Sequence, residues 1–288
     1  MSQIPFSKYH GLGNDVILID AVERPDLAGL DWRRLAPAWC DRHVGVGGDG
    51  VLVVGPIEDA GVRVRIVNAD GSDGGVCGNG LRCAALHLVE HHGAEAACVR
   101  LVTARGATAV RCGWNGGRFA ATVDMGEPIL EAGLIPVLAE TGRVIDAEPV
   151  APVGSGARMT CVSMGNPHAV FFVERVGEVD LARVGPMVER HPRFPERVNV
   201  QVAEAVSPTL ARVRTWERGA GLTRACGTGA CSVLVAGVLT GRLRRSAEVE
   251  LEGGRLTVEW NEASNRVLLT GPAERVFGGW MGCASAGR

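Results

Sequence analysis

Apolar and polar positions alternate with a two-residue period through most of this chain, and few stretches carry the longer helical period. The alternation, with its β-branched residues and glycine-bearing turns, predicts strands over 16–20, 51–54, 62–67, 97–103, 108–112 and 118–124. A second series follows over 159–163, 169–173, 199–203, 211–217, 247–252, 256–260 and 266–270. Two helices interrupt these series. One covers about 80–92, with Leu81, Ala85 and Leu88 on one face, and stops at Gly93. The other covers about 228–240, with Ala230, Leu234 and Val238, and stops at Gly241. Weaker helical patterns cover 32–42 and 181–189. Strand-like sequence gives way to a Gly/Pro-bearing crossing near Met125 to Pro128, so two similar α+β halves with one cleft between them are expected.

Both strong helices open in the same way. Val76-Cys77-Gly78-Asn79-Gly80 precedes the first and Ala225-Cys226-Gly227-Thr228-Gly229 the second. Nine residues before each cysteine a polar residue ends a strand, Asn68 in one case and Glu217 in the other. The first N–H groups of a helix have no helical acceptor, so a thiol placed there is expected to ionise more easily and a carboxylate to bind beside it. Two such thiols on one site suit removal of a proton from one face of a carbon and return to the other. Taken singly, either turn reads more readily as a glycine-rich helix entry whose cysteine fills space, and only the repetition reverses that preference.

Composition narrows the alternatives. A formal charge of −2 leaves no electrostatic footprint for nucleic acid or an anionic membrane, and no apolar run is long enough to span a bilayer. The N-terminus lacks the basic and apolar regions of a signal peptide, so a cytoplasmic location is expected. Nine cysteines without a Cys-x2-Cys pair suggest neither a disulfide framework nor a zinc ribbon. Lys8 is the only lysine, and it lies in a strand-like segment with no phosphate-binding setting, which disfavours pyridoxal phosphate. Gly45-Val46-Gly47-Gly48-Asp49-Gly50 matches the dinucleotide fingerprint, but it follows a helical pattern and opens a strand, the reverse of what that motif requires. His43, His87, His91, His92 and His191 read as structural.

Further segments complete a pattern: Lys8-Tyr9-His10-Gly11-Leu12-Gly13-Asn14-Asp15, Asn68-Ala69-Asp70-Gly71-Ser72, Gly165-Asn166-Pro167-His168 and Glu217-Arg218-Gly219. With the two cysteine turns, they resemble the diaminopimelate epimerase family in kind and in order, from residue 8 to residue 231. The resemblance implies two pseudo-symmetric halves, each a β-sheet or barrel wrapped around a central helix, with the active site in the cleft between them. The halves would be residues 1–125, joined by 272–288, and residues 126–271.

It also implies a cofactor-independent, metal-independent isomerase of lysine and peptidoglycan precursor biosynthesis, acting as a homodimer on LL- and meso-diaminopimelate. Cys77 and Cys226 would be its acid/base residues, with Cys77 as donor and Cys226 as acceptor in one direction. Asn14, Asn68, Asn166, Asn199 and Arg218 would hold the distal amino-acid end. Gly78, Asn79, Gly227 and Thr228 would grip the reacting carboxylate, and His168 and Glu217 would lie beside the reacting centre. Some members of the family carry glutamine where this chain has Gly50. Two other readings stay open at this level: a racemase of the same fold acting on another amino acid, such as histidine or hydroxyproline, and a thiol-bearing binding or sensing protein without catalysis.

Overall fold

The computed structural model describes residues 3–75, 78–140 and 142–282, and the chain divides into two compact units, 1–123 with 271–288 and 124–270. In the first unit the strands are β1 (Gln3–Gly11), β2 (Asn14–Asp20), β3 (Gly50–Glu58), β4 (Gly61–Asn68), β5 (Val99–Thr103), β6 (Gly106–Asn115) and β7 (Arg118–Asp124). Its helices are α1 (Pro25–Ala28), α2 (Trp32–Cys40) and α3 (Gly78–His91). The second unit holds β8 (Arg158–Ser163), β9 (Pro167–Phe172), α4 (Leu181–Glu189), β10 (Asn199–Ser207), β11 (Leu210–Glu217) and β12 (Gly221–Thr223). After these come α5 (Gly227–Leu239), β13 (Ser246–Leu251), β14 (Gly254–Trp260) and β15 (Val267–Pro272). The chain then returns to the first unit as β16 (Glu274–Gly282), antiparallel to β1.

The two units repeat one pairing scheme. In the first, β1–β2, β3–β4, β5–β6 and β6–β7 are antiparallel, whereas β2–β3 and β4–β5 are parallel. In the second, β8–β9, β10–β11, β13–β14 and β14–β15 are antiparallel, whereas β9–β10 and β11–β13 are parallel. Parallel neighbours need a crossover, and helices supply each one. α2 and α4 span the first crossover of each unit, and α3 and α5 the second.

α2 and α4 share more than position. Asp31-x-x-Arg34-x-x-Pro37 and Asp180-x-x-Arg183-x-x-Pro186 place an aspartate cap, an arginine and a proline at matching points of two nine-residue helices. In each, the aspartate side chain accepts the arginine N–H, and an N-cap of this kind is worth about 1 kcal/mol.

Burial explains why the central strands lack clean alternation. In the first unit Ile17, Ile19, Val51 and Val53 share a core with Trp32 and Trp39 of α2, while Leu52 and Ile66 reach Gly80 of α3 on the other face. The sheet therefore lies between two helices and buries both its surfaces. α3 itself packs against β1 to β6 and β16, and α5 against β8 to β11, β13 and β14. The expected strands and helices are present, with ends moved by a few residues. β1 is the strand-like segment around Lys8, and β12, β16 and α1 add to the expected elements. The fingerprint-like loop 45–50 does follow α2 and open β3.

Candidate active site

The parallel registers place the polar residues in equivalent positions. Gly13 (φ 80°) and Gly165 (φ 94°) bend the chain in the left-handed region, and Asn14 and Asn166 follow them. Two residues on, Val16 pairs with Gly50 and His168 with Asn199. Gly50 pairs in turn with Asn68, the last residue of β4, just as β10 and β11 lead from Asn199 towards Glu217, the last residue of β11. One unit thus presents Asn14, Gly50 and Asn68 where the other presents Asn166, Asn199 and Glu217. A side chain at position 50 would meet the Val67 carbonyl at 2.7 Å, so this strand end stays bare.

In the second unit, Cys226 is the N-cap of α5 with extended backbone (φ −133°, ψ 109°). Cys226 Sγ donates to Glu217 Oε2 at 3.4 Å, and Thr228 Oγ1 lies 3.6 Å from it. The residue is only 5% exposed. Burial pushes its thiol well above the ordinary value, and the Glu217 carboxylate pushes it further. Thr228 and the Gly229 N–H pull the other way without prevailing. The expectation of an easily ionised thiol is therefore corrected for Cys226: desolvation and an adjacent negative charge outweigh the helix end. The first helical bond runs from Ala230 N to the Cys226 carbonyl, which leaves the N–H groups of Gly227 and Thr228 without an acceptor in the helix.

His168 is fully buried beside this turn. Gln201 Nε2 donates to its Nδ1 at 3.1 Å, and its Nε2 donates to Asn166 Oδ1 at 3.1 Å. Thr215 Oγ1 donates to Gln201 Oε1 at 2.6 Å, which fixes the amide's orientation and with it the imidazole tautomer. Desolvation first, and the Arg218 charge second, lower the His168 pKa to about 3. The imidazole is neutral, and its Nε2–H holds the Asn166 side chain.

Asn199 serves the same turn from below. Its Nδ2 donates to the Pro167 carbonyl at 2.9 Å, and its Oδ1 accepts from the Arg218 N–H at 2.9 Å. Arg218 Nη1 donates to the Glu196 carbonyl at 2.8 Å. The buried Glu189 carboxylate accepts from Trp216 Nε1 at 2.7 Å and from Gly219 N at 3.1 Å. Glu217 and Arg218 therefore sit on a turn clamped on both sides.

In the first unit, Asn79 Nδ2 donates to both the backbone and side-chain oxygens of Asn14, at 2.9 and 2.8 Å. Arg82 Nη2 donates to Asn79 Oδ1 at 3.2 Å, and Arg82 Nε donates to the Pro272 carbonyl at 3.0 Å. A Cβ at Gly11 would lie 2.0 Å from Asn79 Oδ1, so glycine is required where this cluster closes. Asn68 Nδ2 donates to Ser72 Oγ at 2.9 Å within the turn before the first cysteine motif. Gly78 opens α3, and Cys77 lies outside the described residues. Lys8 is buried and paired with Asp15 at 2.7 Å, a structural commitment.

Gln201, Thr215 and Glu189 escaped the sequence reading. Gln201 carried one usable signal: it stands two residues after Asn199 in a strand, and so on the same face. Glu189 carried none, because a glutamate ending a helix is ordinarily solvated.

The sequence profile described as Diaminopimelate epimerase matches residues 6–131 and 160–276. The diaminopimelate epimerase of Moorella thermoacetica is 48% identical over 278 residues, covering 95% of this chain and 98% of its own. That of Desulfovibrio desulfuricans is 46% identical over 281 residues, covering 95% and 96%. Among solved structures, a probable proline racemase from Agrobacterium radiobacter K84 matches with a TM-score of 0.71 at 15% identity, covering 98% of this chain and 94% of its own. At that identity the likeness concerns the fold alone. The paired helix-entry turns, the polar residues that end equivalent strands and the near full-length identity lead to one assignment: the chain belongs to the diaminopimelate epimerase family.

Proposed function

We propose that this chain is an isomerase that interconverts LL- and meso-diaminopimelate by two-cysteine acid/base catalysis, without a cofactor. The observation that carries the chemistry is the Cys226 thiol, protonated against Glu217 at the first turn of α5. The repeated Cys-Gly-x-Gly turn supplies Cys77 as the second group. In the direction that starts from this protonation state, the Cys77 thiolate takes the α-proton from one face of the substrate. Charge then builds on the α-carboxylate, where the N–H groups of Gly227 and Thr228, with Gly78 and Asn79 from the other turn, stabilise it. Cys226 gives its proton to the opposite face, and the reverse reaction exchanges the two roles. The pair titrates as one system, because only one thiol carries the proton at a time.

Asn14, Asn68, Asn166, Asn199 and Arg218 recognise the second amino-acid end. His168, being neutral, positions Asn166 without offering a competing proton. Activity as a cytoplasmic homodimer in lysine and peptidoglycan precursor synthesis completes the reading. Family membership supports the biosynthetic role, and the resemblance of the motifs carries the location and the dimer.

Proton NMR of LL-diaminopimelate in D2O, with the reduced protein and a chelator, tests the proposal. Loss of the α-proton signal with appearance of the meso isomer is the expected result. Exchange on proline or hydroxyproline instead would transfer the site to another substrate, and no exchange on any amino acid would overturn catalysis.

A further inference from the structure

At the opposite end of α3 from Gly78, two imidazoles and a carboxylate converge. His87 Nε2 and His92 Nε2 lie 3.0 and 2.7 Å from the same atom, Asp20 Oδ2, and the three candidate ligand atoms all lie within 4.8 Å of one another. His87 is buried, and the side chains of His92 and Asp20 are 13% and 27% exposed. They border a cavity of about 330 Å³ whose wall also includes Phe6, Leu18 and Glu23. The elements that bring them together are fixed independently. Asp20 ends β2, and the helix terminates through His92 N and Ala94 N on the Leu88 carbonyl, with Gly93 at φ 61°.

Such a trio could be no more than a carboxylate accepting two imidazole N–H bonds. Three features favour more. Ligands held at about 2.0–2.2 Å around a tetrahedral zinc ion lie roughly 3.4 Å apart, within the spread of separations present here. Two imidazoles with one carboxylate form a donor set suited to late first-row divalent ions. His87 also has an outer partner: Tyr9 Oη lies 3.1 Å from its Nδ1. Tyr9 is fully buried, and its phenol can accept Nδ1–H once Nε2 turns its lone pair to a metal. Both histidines can reach that tautomer by internal proton relocation, and the ionised carboxylate supplies the charge.

We propose that Asp20, His87 and His92 form a site for a zinc-class divalent cation that ties the end of β2 to the end of α3, its remaining coordination positions facing the cavity. The site does not depend on the epimerase reading. His87 is nine residues beyond Gly78, or roughly 14 Å along the helix, so the ion stabilises the unit and does not touch the reacting carbon.

Cobalt(II) titration of the reduced full chain, followed by visible absorption, tests this. Expected are d–d bands that saturate at one equivalent and vanish in His92→Gln and in Asp20→Asn. Zinc should raise the melting temperature of the parent but not of either variant. Tyr9→Phe should bind about tenfold more weakly. Far-ultraviolet circular dichroism identifies any variant that fails to fold, and His92→Gln, at the rim, is the conservative choice. Absence of d–d bands overturns the proposal. Bands that persist in folded His92→Gln also overturn it, because they place the ion elsewhere, and an intense thiolate-to-cobalt band would identify the cysteines as that place.

Discussion

Cys226 Sγ and Glu217 Oε2 lie 3.4 Å apart, the thiol donating and the carboxylate accepting. The proton on Cys226 is therefore held by a neighbouring negative charge as well as by burial. Glu217→Gln removes the charge and keeps the shape. The apparent pKa of Cys226, read from the pH dependence of its alkylation, should fall, and kcat should drop about 100-fold. An unchanged alkylation profile would show that the carboxylate does not govern the thiol.

Cys77→Ser and Cys226→Ser each replace a thiol by a far weaker acid. Each single variant should lose most turnover, with substrate affinity by calorimetry largely intact. Substantial epimerisation by either variant would rule out a two-base reaction.

Gln201 sets the tautomer of His168 without standing among the substrate-holding residues. Gln201→Leu frees Nδ1 and leaves Thr215 Oγ1 without its acceptor, a loss of about 1–3 kcal/mol in stability. As a positioning residue it should also shift the His168 ¹⁵N resonances, with KM rising more than kcat falls because Asn166 is released.

Gly229 lies in the first turn of α5 against the same amide. A Cβ there would stand 2.6 Å from Gln201 Nε2 and 2.7 Å from its Cδ. Gly229→Ala should destabilise the chain by about 1–3 kcal/mol despite the better helix propensity of alanine. A melting temperature equal to or above that of the parent would mean that Gln201 yields readily.

His168 makes stability depend on acid. Its folded value, about 3, lies below the ordinary 6.5, so its contribution is complete above about pH 6.5 and is lost as pH falls towards 3. Across that window it should add about 1.4 kcal/mol per pH unit to the slope of unfolding free energy. Urea unfolding between about pH 4 and 6 should show a shallower slope for His168→Gln. Equal slopes would mean that the imidazole is charged in the folded chain.

The motif-bearing parts of this fold were open to sequence reading because their chemistry and geometry coincide. A cysteine followed by glycines before a helical period identifies both a thiol and the turn that presents it. β16 was not open to it: nearly all its residues are exposed, and it is a strand only because β1 offers an edge. The direction of the Cys226 shift was hidden for a related reason. A helix N-terminus is visible in sequence, but burial beside Glu217 is a tertiary fact, and here it prevails. The matching Asp-x-x-Arg-x-x-Pro segments were legible in principle, yet three residues in seven stand out only once both helices are known to bridge equivalent parallel strands.

The return of β16 to β1 sets an order on biosynthesis. The unit of residues 124–270 is one uninterrupted stretch and can complete its sheet as it leaves the ribosome. The first unit cannot, because β1, although made at the outset, waits for residues 274–282 to pair along its second edge. Until then that edge is a row of open backbone donors and acceptors, the kind of surface that chaperones cover and that aggregates seed on. A chain truncated before Glu274 should therefore fail through its N-terminal unit, leaving the later-made unit intact.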